Sequence, residues 1–421
     1  MIDDFDGIKT MAKKAELHRV VVTGLGVVSS IGTGRELFWN RLVAGCSGIG
    51  AVSSFDTSKF GVHSGAEIRE FDPVPYLLRF LPSDIGRASQ FAIAAARLAI
   101  SDGSLCITEK DSNTFGVVVG TTSGEPGVIE QFDNDCATGH PERTSRRFIS
   151  TYPCHVLASH VAAELGLGGE VVTIPTACAA GNHAIARAYD ELRFGKAEIM
   201  LAGGADSFSR ITYAGFARLG AISPDICQPF DLNRKGMIPG EGAAFLLLET
   251  ADHAQRRSAR VYAEIAGYGL SCDAHHMTAA HPEAEGGVRA MQLALGLAGI
   301  RPESVDYISA HGTGTPTNDR LEAIAIKKVF GEGAQRVPIS SIKSMLGHTM
   351  GAASAIEAVA CTLAISEGCI PPTINLFHPD PECDLDFVPL IGRTQKVDVA
   401  LNNAYAFGGN NSSVVFARYK D

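Results

Sequence analysis

The first 18 residues are polar and show no periodicity, but from His18 the run HRVVVTGLGVV reads as a buried strand entering a glycine turn. Apolar, β-branched runs recur at 115–120, 170–174, 198–204, 243–249, 305–310 and 337–341. Between several of them lie helical patterns, at 88–102, 181–194 and 287–299. Strands alternating with alanine-rich helices predict an α/β architecture with largely parallel sheets covered on both faces. Two further segments, 90–100 and 351–365, are small and apolar on nearly every helical face. Such a helix is buried all round and, at this length, too short to span a membrane. Both are therefore expected between sheets, which implies more than three layers. No exact repeat is present, and a charged stretch near 250–262 divides the chain into halves at 19–260 and 261–421. Residues 1–18 form an extension expected to be poorly ordered.

Composition narrows the classes. With 421 residues, 45% hydrophobic and 19% charged, the chain can build a large core, and disordered, collagen-like and coiled-coil readings fail. A formal charge of −10 leaves no general field for phosphate backbones, so nucleic acid is not an expected partner, and an acidic partner needs a local basic patch. No run of 18 apolar residues occurs and the start is acidic, so the expectation is a cytosolic protein without a membrane span. Ten cysteines without a CxxC pair make neither a disulfide framework nor a zinc ribbon, which leaves at most one catalytic thiol.

Four segments carry chemistry. Cys178 lies between the strand EVVTIP and the helix 181–194; helix-end N–H groups there are expected to lower its pKa below about 8.5 and to hold an oxyanion, whereas elsewhere such a cysteine is packing. His311 follows the strand VDYISA, at the strand end where ligands of open α/β sheets bind; a histidine simply bonded to backbone is the plainer alternative. Lys343 and His348 lie on a loop between a strand and the apolar helix, with Glu322 the candidate to match the lysine charge. Phe407, followed by two glycines, is either an apolar plug on a hinge or an ordinary core aromatic. The pair His275-His276 invites a metal site, but adjacent loop histidines point apart, so no metal and no cofactor is expected.

Together, TACAAG, AHGTGTPTND, KSMLGHTMGAA and AYAFGGNN, with the opening VVVTGLGVVSSIG, resemble the β-ketoacyl-acyl carrier protein synthases, specifically the elongating type II class and its polyketide ketosynthase relatives. The resemblance runs from about residue 18 to about residue 419 and implies a duplicated thiolase-like fold in five layers, α-β-α-β-α, usually a homodimer. It implies Cys178 as nucleophile, His311 and His348 as the paired histidines, and Lys343 with Glu322 as ion partner. Phe407 becomes the gate, its N–H joining that of Cys178 in the oxyanion hole, and Thr313 and Thr315 bind the phosphopantetheine arm. Acyl carrier protein is the implied partner, and a chain-length factor replaces the second copy in the polyketide alternative.

Some features depart from the common pattern. Ala179-Ala180 follows the nucleophile, the gate reads Tyr405-Ala406-Phe407, and Ser123 stands where an aliphatic residue often limits the acyl pocket. A differently shaped acyl tunnel is expected, bordered by Ser123 and Tyr405 and by Phe148 from a partner subunit. Arg210 and Arg218 are candidates for the carrier-docking patch. A non-condensing chain-length-factor-like subunit is opposed by Cys178, and a plain thiolase by His348.

Overall fold

The computed structural model describes residues 17–143 and 148–420; the N-terminal extension, apart from its last two residues, lies outside them. Ten strands make the frame. The first five are β1 (Val20–Ser29), β2 (Gly116–Gly120), β3 (Val171–Ile174), β4 (Ile199–Asp206) and β5 (Gly242–Thr250). The second five are β6 (Ala263–Cys272), β7 (Tyr307–Ser309), β8 (Ile339–Ser340), β9 (Val399–Tyr405) and β10 (Asn410–Ala417).

The duplication is visible in the strand order, β3-β2-β4-β5-β1 in one half and β8-β7-β9-β10-β6 in the other. Strand senses repeat as well. In the first half β2 runs parallel to β3 and β4, while β5 is antiparallel to β4 and β1. In the second half β7 runs parallel to β8 and β9, while β10 is antiparallel to β9 and β6. The halves meet where Val20–Val22 pair with Ala263–Ile265.

The sheets are thus mixed rather than largely parallel. The antiparallel strand β5 carries an almost unbroken apolar run because helices cover both faces, and double coverage erases the alternation that marks a half-exposed antiparallel strand. Alternation survives only as a division between two cores. Ala244, Leu246 and Leu248 face inward, while Ala243, Phe245 and Leu247 face out.

The helices complete the layers: α1 (Arg87–Asp102), α2 (Pro126–Ala137), α3 (Val156–Leu165), α4 (Ala180–Arg193), α5 (Arg210–Arg218), α6 (Glu285–Ala298), α7 (Pro316–Phe330) and α8 (Ala353–Glu367). Between the sheets lie α4 and α8, where Ile185, Leu192, Ile356 and Val359 share a core with Leu246 and Phe416. Phe91 and Ala95 of α1 join α3 and the outer face of the first sheet. Met291 of α6 and Ile326 of α7 cover the outer face of the second. This is the five-layer α-β-α-β-α arrangement.

One expectation is corrected. Of the two all-apolar segments, 351–365 lies between the sheets, but 90–100 belongs to α1 on the outside. It is apolar all round because α3 and the aromatics Phe71, Tyr76 and Phe80 close over its far side. On its near side a Cβ at Gly26 of β1 would sit 1.8 Å from the Ala95 carbonyl oxygen, so only glycine admits α1 this closely. The stretch 350–367 is long and apolar enough to cross a membrane, but it runs through the protein core.

Candidate active site

Both central helices begin in the same way. A 3₁₀ turn at Ala177–Ala179 leads into α4, with Ala177 in the left-handed region at φ 50°; a matching turn at Met350–Ala352 leads into α8, with Met350 at φ 53°. The first turn presents Cys178 and the second Gly351, where a Cβ would lie 2.5 Å from the Thr121 backbone.

His311 and His348 converge with their rings 5.5 Å apart at 83°. The Met350 N–H donates to His348 Nδ1 at 3.2 Å, so that nitrogen is an acceptor and Nε2 carries the proton. Lys343 Nζ donates to the His311 carbonyl at 2.6 Å and lies 3.5 Å from His311 Nδ1, which assigns His311 the same tautomer. Burial lowers both imidazoles well below their usual pKa, helped by the Lys343 charge and, for His311, by His348. The result is a pair of neutral rings whose remaining donors are Nε2–H.

Two sequence expectations are corrected here. The ion partner of Lys343 is Glu357 of α8, not Glu322. Glu322 instead accepts the His311 and Gly312 N–H groups at 2.8 and 2.7 Å, which sets the backbone of the histidine loop, and burial pushes its pKa up to about 8. The Cys178 thiol is not lowered by the helix end either: it is 8% exposed, and burial pushes it up to about 12 against the pull of Lys343. Lost hydration outweighs the helix-end N–H groups, and Asp206 and Glu357 add repulsion. Cys178 rests as a thiol.

Sequence reasoning missed Glu357 and Asp206. Glu357 is the only ionisable carboxylate within the otherwise small and apolar 351–365 segment, and a charge placed there requires a partner. Asp206 ends β4 after two glycines, a strand-end position that was a usable signal. Its Oδ1 accepts the Thr121 hydroxyl at 2.8 Å and the Ser123 N–H at 3.0 Å; its Oδ2 accepts the N–H groups of Thr122 and Gly351 at 2.8 and 2.7 Å. One buried carboxyl, raised to about 6 by burial, thereby ties the loop after β2 to the turn before α8.

A cavity of about 350 Å³ joins Cys178, His311 and His348 to Thr313, Thr315, Tyr405 and Phe407. The Thr313 and Thr315 hydroxyls are 2.9 Å apart. Tyr405 stands edge-on to His311 at 5.8 Å, and its buried hydroxyl has no hydrogen-bond partner among the described residues. Phe407, 41% exposed, leans on Phe216 at 5.9 Å, followed by Gly408 and Gly409 at φ 84° and 77°. Arg210 and Arg218 lie exposed at the ends of α5, which contributes Phe216 to the cavity.

Two expected tunnel residues stay outside this cavity. Ser123 is held by its N–H on Asp206 and does not line it. Phe148 opens the short helix Phe148–Thr151, stacks on Phe132 and Tyr152 at 4.7 and 5.2 Å, and faces a separate groove of about 480 Å³ with Glu125. The histidines of the 275–281 loop also go separate ways: His276 Nδ1 accepts the Thr278 N–H, and His275 packs on His281.

Comparison with known proteins is consistent along the chain. Residues 17–254 match the model of the beta-ketoacyl synthase N-terminal domain and residues 262–377 that of the C-terminal domain. The 3-oxoacyl-[acyl-carrier-protein] synthase 2 of Synechocystis sp. is 40% identical over 412 residues, covering 96% of this chain and 99% of that protein. The protein of the same name from Coxiella burnetii is 42% identical, covering 96% and 100%. Among solved structures, the ishigamide ketosynthase/chain length factor matches with a TM-score of 0.92 and 44% identity, covering 96% of this chain and 100% of that one. A type II polyketide ketosynthase chain solved with its acyl-carrier protein and a hexaketide, AntDE:AntF, matches at 0.89 and 35%, covering the same shares.

Proposed function

Because the chain belongs to the β-ketoacyl synthase family, we propose that it catalyses a ping-pong decarboxylative condensation between an acyl group held on Cys178 and a malonyl group, both brought by an acyl carrier protein. The supporting observation is the buried Cys178 turn sharing one cavity with two neutral imidazoles whose Nδ1 atoms are already engaged.

In the first half-reaction the Cys178 sulfur attacks the acyl thioester, the carrier leaves as its thiol, and the proton of the Cys178 thiol passes to it. The N–H groups of Cys178 and Phe407 receive the oxyanion, and Phe407 swings on Gly408-Gly409 to admit the acyl group. In the second, the malonyl group loses carbon dioxide. The enolate oxygen is held by the Nε2–H groups of His311 and His348, which neutral rings supply without a metal. The enolate carbon attacks the acyl carbonyl, the bond to Cys178 breaks, and its thiolate takes up a proton. The product is a β-ketoacyl carrier thioester two carbons longer.

Lys343 and Glu357 act by placing His311, and Glu322 by setting the 311–312 backbone. Thr313 and Thr315 meet the pantetheine arm. Residues 19–260 form the half with the nucleophile and 261–421 the half with the histidines. The enzyme works in the cytosol as a dimer. β3 is an outer strand with an open edge, and the exposed Ile149 and Tyr152 offer apolar surface for a second copy.

A second reading, a polyketide or polyene ketosynthase paired with a chain-length factor, draws on the 44% identity to the ishigamide complex. The test that separates the two is acyl-enzyme formation at Cys178, followed by mass spectrometry, from a panel of acyl carrier proteins. Addition of malonyl carrier then identifies the products. Failure of every acyl donor to load Cys178 would sink both readings.

A further inference from the structure

We propose that Lys235 holds the phosphate of the carrier-borne phosphopantetheine arm as the arm enters the cavity, an inference that rests on the carrier-dependent reading above. Lys235 is exposed and lines the cavity that ends on Cys178, and no other lysine or arginine is among the described residues lining it. Its ammonium is engaged by no ion pair among the described residues. The lining carboxylate, Asp273, does not compete for it, since its two oxygens accept the His281 N–H at 3.0 Å and the Asn411 amide at 2.9 Å.

The backbone on either side of Lys235 is pinned to the segment that carries Thr313 and Thr315. Arg234, buried and paired with Asp380, donates to the Pro316 carbonyl at 3.1 Å. Gly236 donates its N–H to the Gly314 carbonyl at 3.0 Å, and with φ 149° it lies so close to the Ala221 carbonyl that a Cβ would approach within 2.4 Å. Lys235 is thereby set beside the first turn of α7, where Thr317 and Asn318 also line the cavity and no side chain caps the helix end. Phosphopantetheine carries its thioester at one end and its phosphate at the other. With the sulfur at Cys178 and the arm along Thr313 and Thr315, the phosphate comes to the exposed end of the cavity, beside the Lys235 ammonium.

The experiment compares loading of Cys178 from hexanoyl-phosphopantetheine and from hexanoyl-pantetheine, read by intact mass at low salt. An exposed ion pair predicts that the native enzyme prefers the phosphorylated donor by about fivefold in kcat/KM. The preference should vanish in Lys235→Ala, persist in Lys235→Arg and reverse in Lys235→Glu. A preference unchanged in Lys235→Ala would overturn the assignment, and the absence of loading from either donor would overturn the functional reading instead. Hexanoyl-carrier protein and hexanoyl-coenzyme A separate two sources of the phosphate. A KM raised by Lys235→Ala for the carrier-bound donor supports the proposal, and a rise for coenzyme A alone refutes it.

Discussion

Around Lys343 a single contact decides the character of three side chains. Its ammonium, buried with Glu357, raises the cost of protonating either histidine and offsets part of the burial that keeps the Cys178 thiol protonated. Removing one member of such a pair leaves an uncompensated buried charge, so Glu357→Leu should cost about 3–5 kcal/mol in urea unfolding. The double change Lys343→Met with Glu357→Leu should recover most of that loss without recovering condensation. If the single variant is as stable as the native protein, the pair is not buried as described. The histidines give a second expectation, with the sign set by their lowered pKa. Both stay neutral as pH falls through about 6.5, the ordinary imidazole value. Carbon dioxide release from malonyl carrier should therefore stay flat as pH falls through that value and decline only at lower pH. A titration centred near 6.5 would show that the rings are hydrated in the working enzyme.

At the scale of elements, close approach of helix to strand is bought with glycine, and two glycines of opposite surroundings test this. Gly26 of β1 faces the Ala95 carbonyl, whereas Gly296 of α6 has nothing within 4 Å of an added Cβ. Gly26→Ala has to push α1 off the sheet and should lose about 1–3 kcal/mol, more if the helix cannot shift. Gly296→Ala, in a helix interior, should gain about 0.5–1 kcal/mol. Equal effects in chemical denaturation would contradict the packing of α1 on β1. The same closeness explains a misreading of the helices from sequence. An apolar surface all round says that a helix is buried, not what covers it. For α8 the cover is two sheets; for α1 it is one sheet, α3 and a set of aromatics from 71–80. Conversely α4, which does lie between the sheets, looks amphipathic in sequence because His183, Arg187 and Asp190 form a half-buried stripe along it, where Arg187 pairs with Glu170 and Asp190 accepts the Tyr268 hydroxyl.

For the whole molecule, acyl selection is the property most exposed to quaternary structure. Within one chain, Ser123 and Phe148 do not line the cavity of Cys178, and Phe148 borders a different groove. If a second subunit closes the acyl tunnel between these regions, Ser123→Ile should shorten the range of acyl chains that load Cys178 while short chains still enter. Acyl-enzyme formation across a chain-length series checks this. A profile identical to that of the native enzyme removes Ser123 from the tunnel wall.

Sequence alone determined which residues stand at strand ends and helix starts, because those positions are set by local patterns of apolar runs, glycines and helix onsets that no distant contact overrides. Cys178, His311, Lys343, His348 and Phe407 were legible in this way, as was the α/β class. Tertiary structure alone decided which groups face one another. The lysine found Glu357 on the helix that follows its own loop rather than Glu322 beside the histidine loop, and the strands closed as mixed sheets. The helix-end thiol stayed protonated for the same reason: desolvation and the charges of Asp206 and Glu357 come from elements far apart in the chain, and a pKa answers to everything packed around the group rather than to its neighbours in sequence.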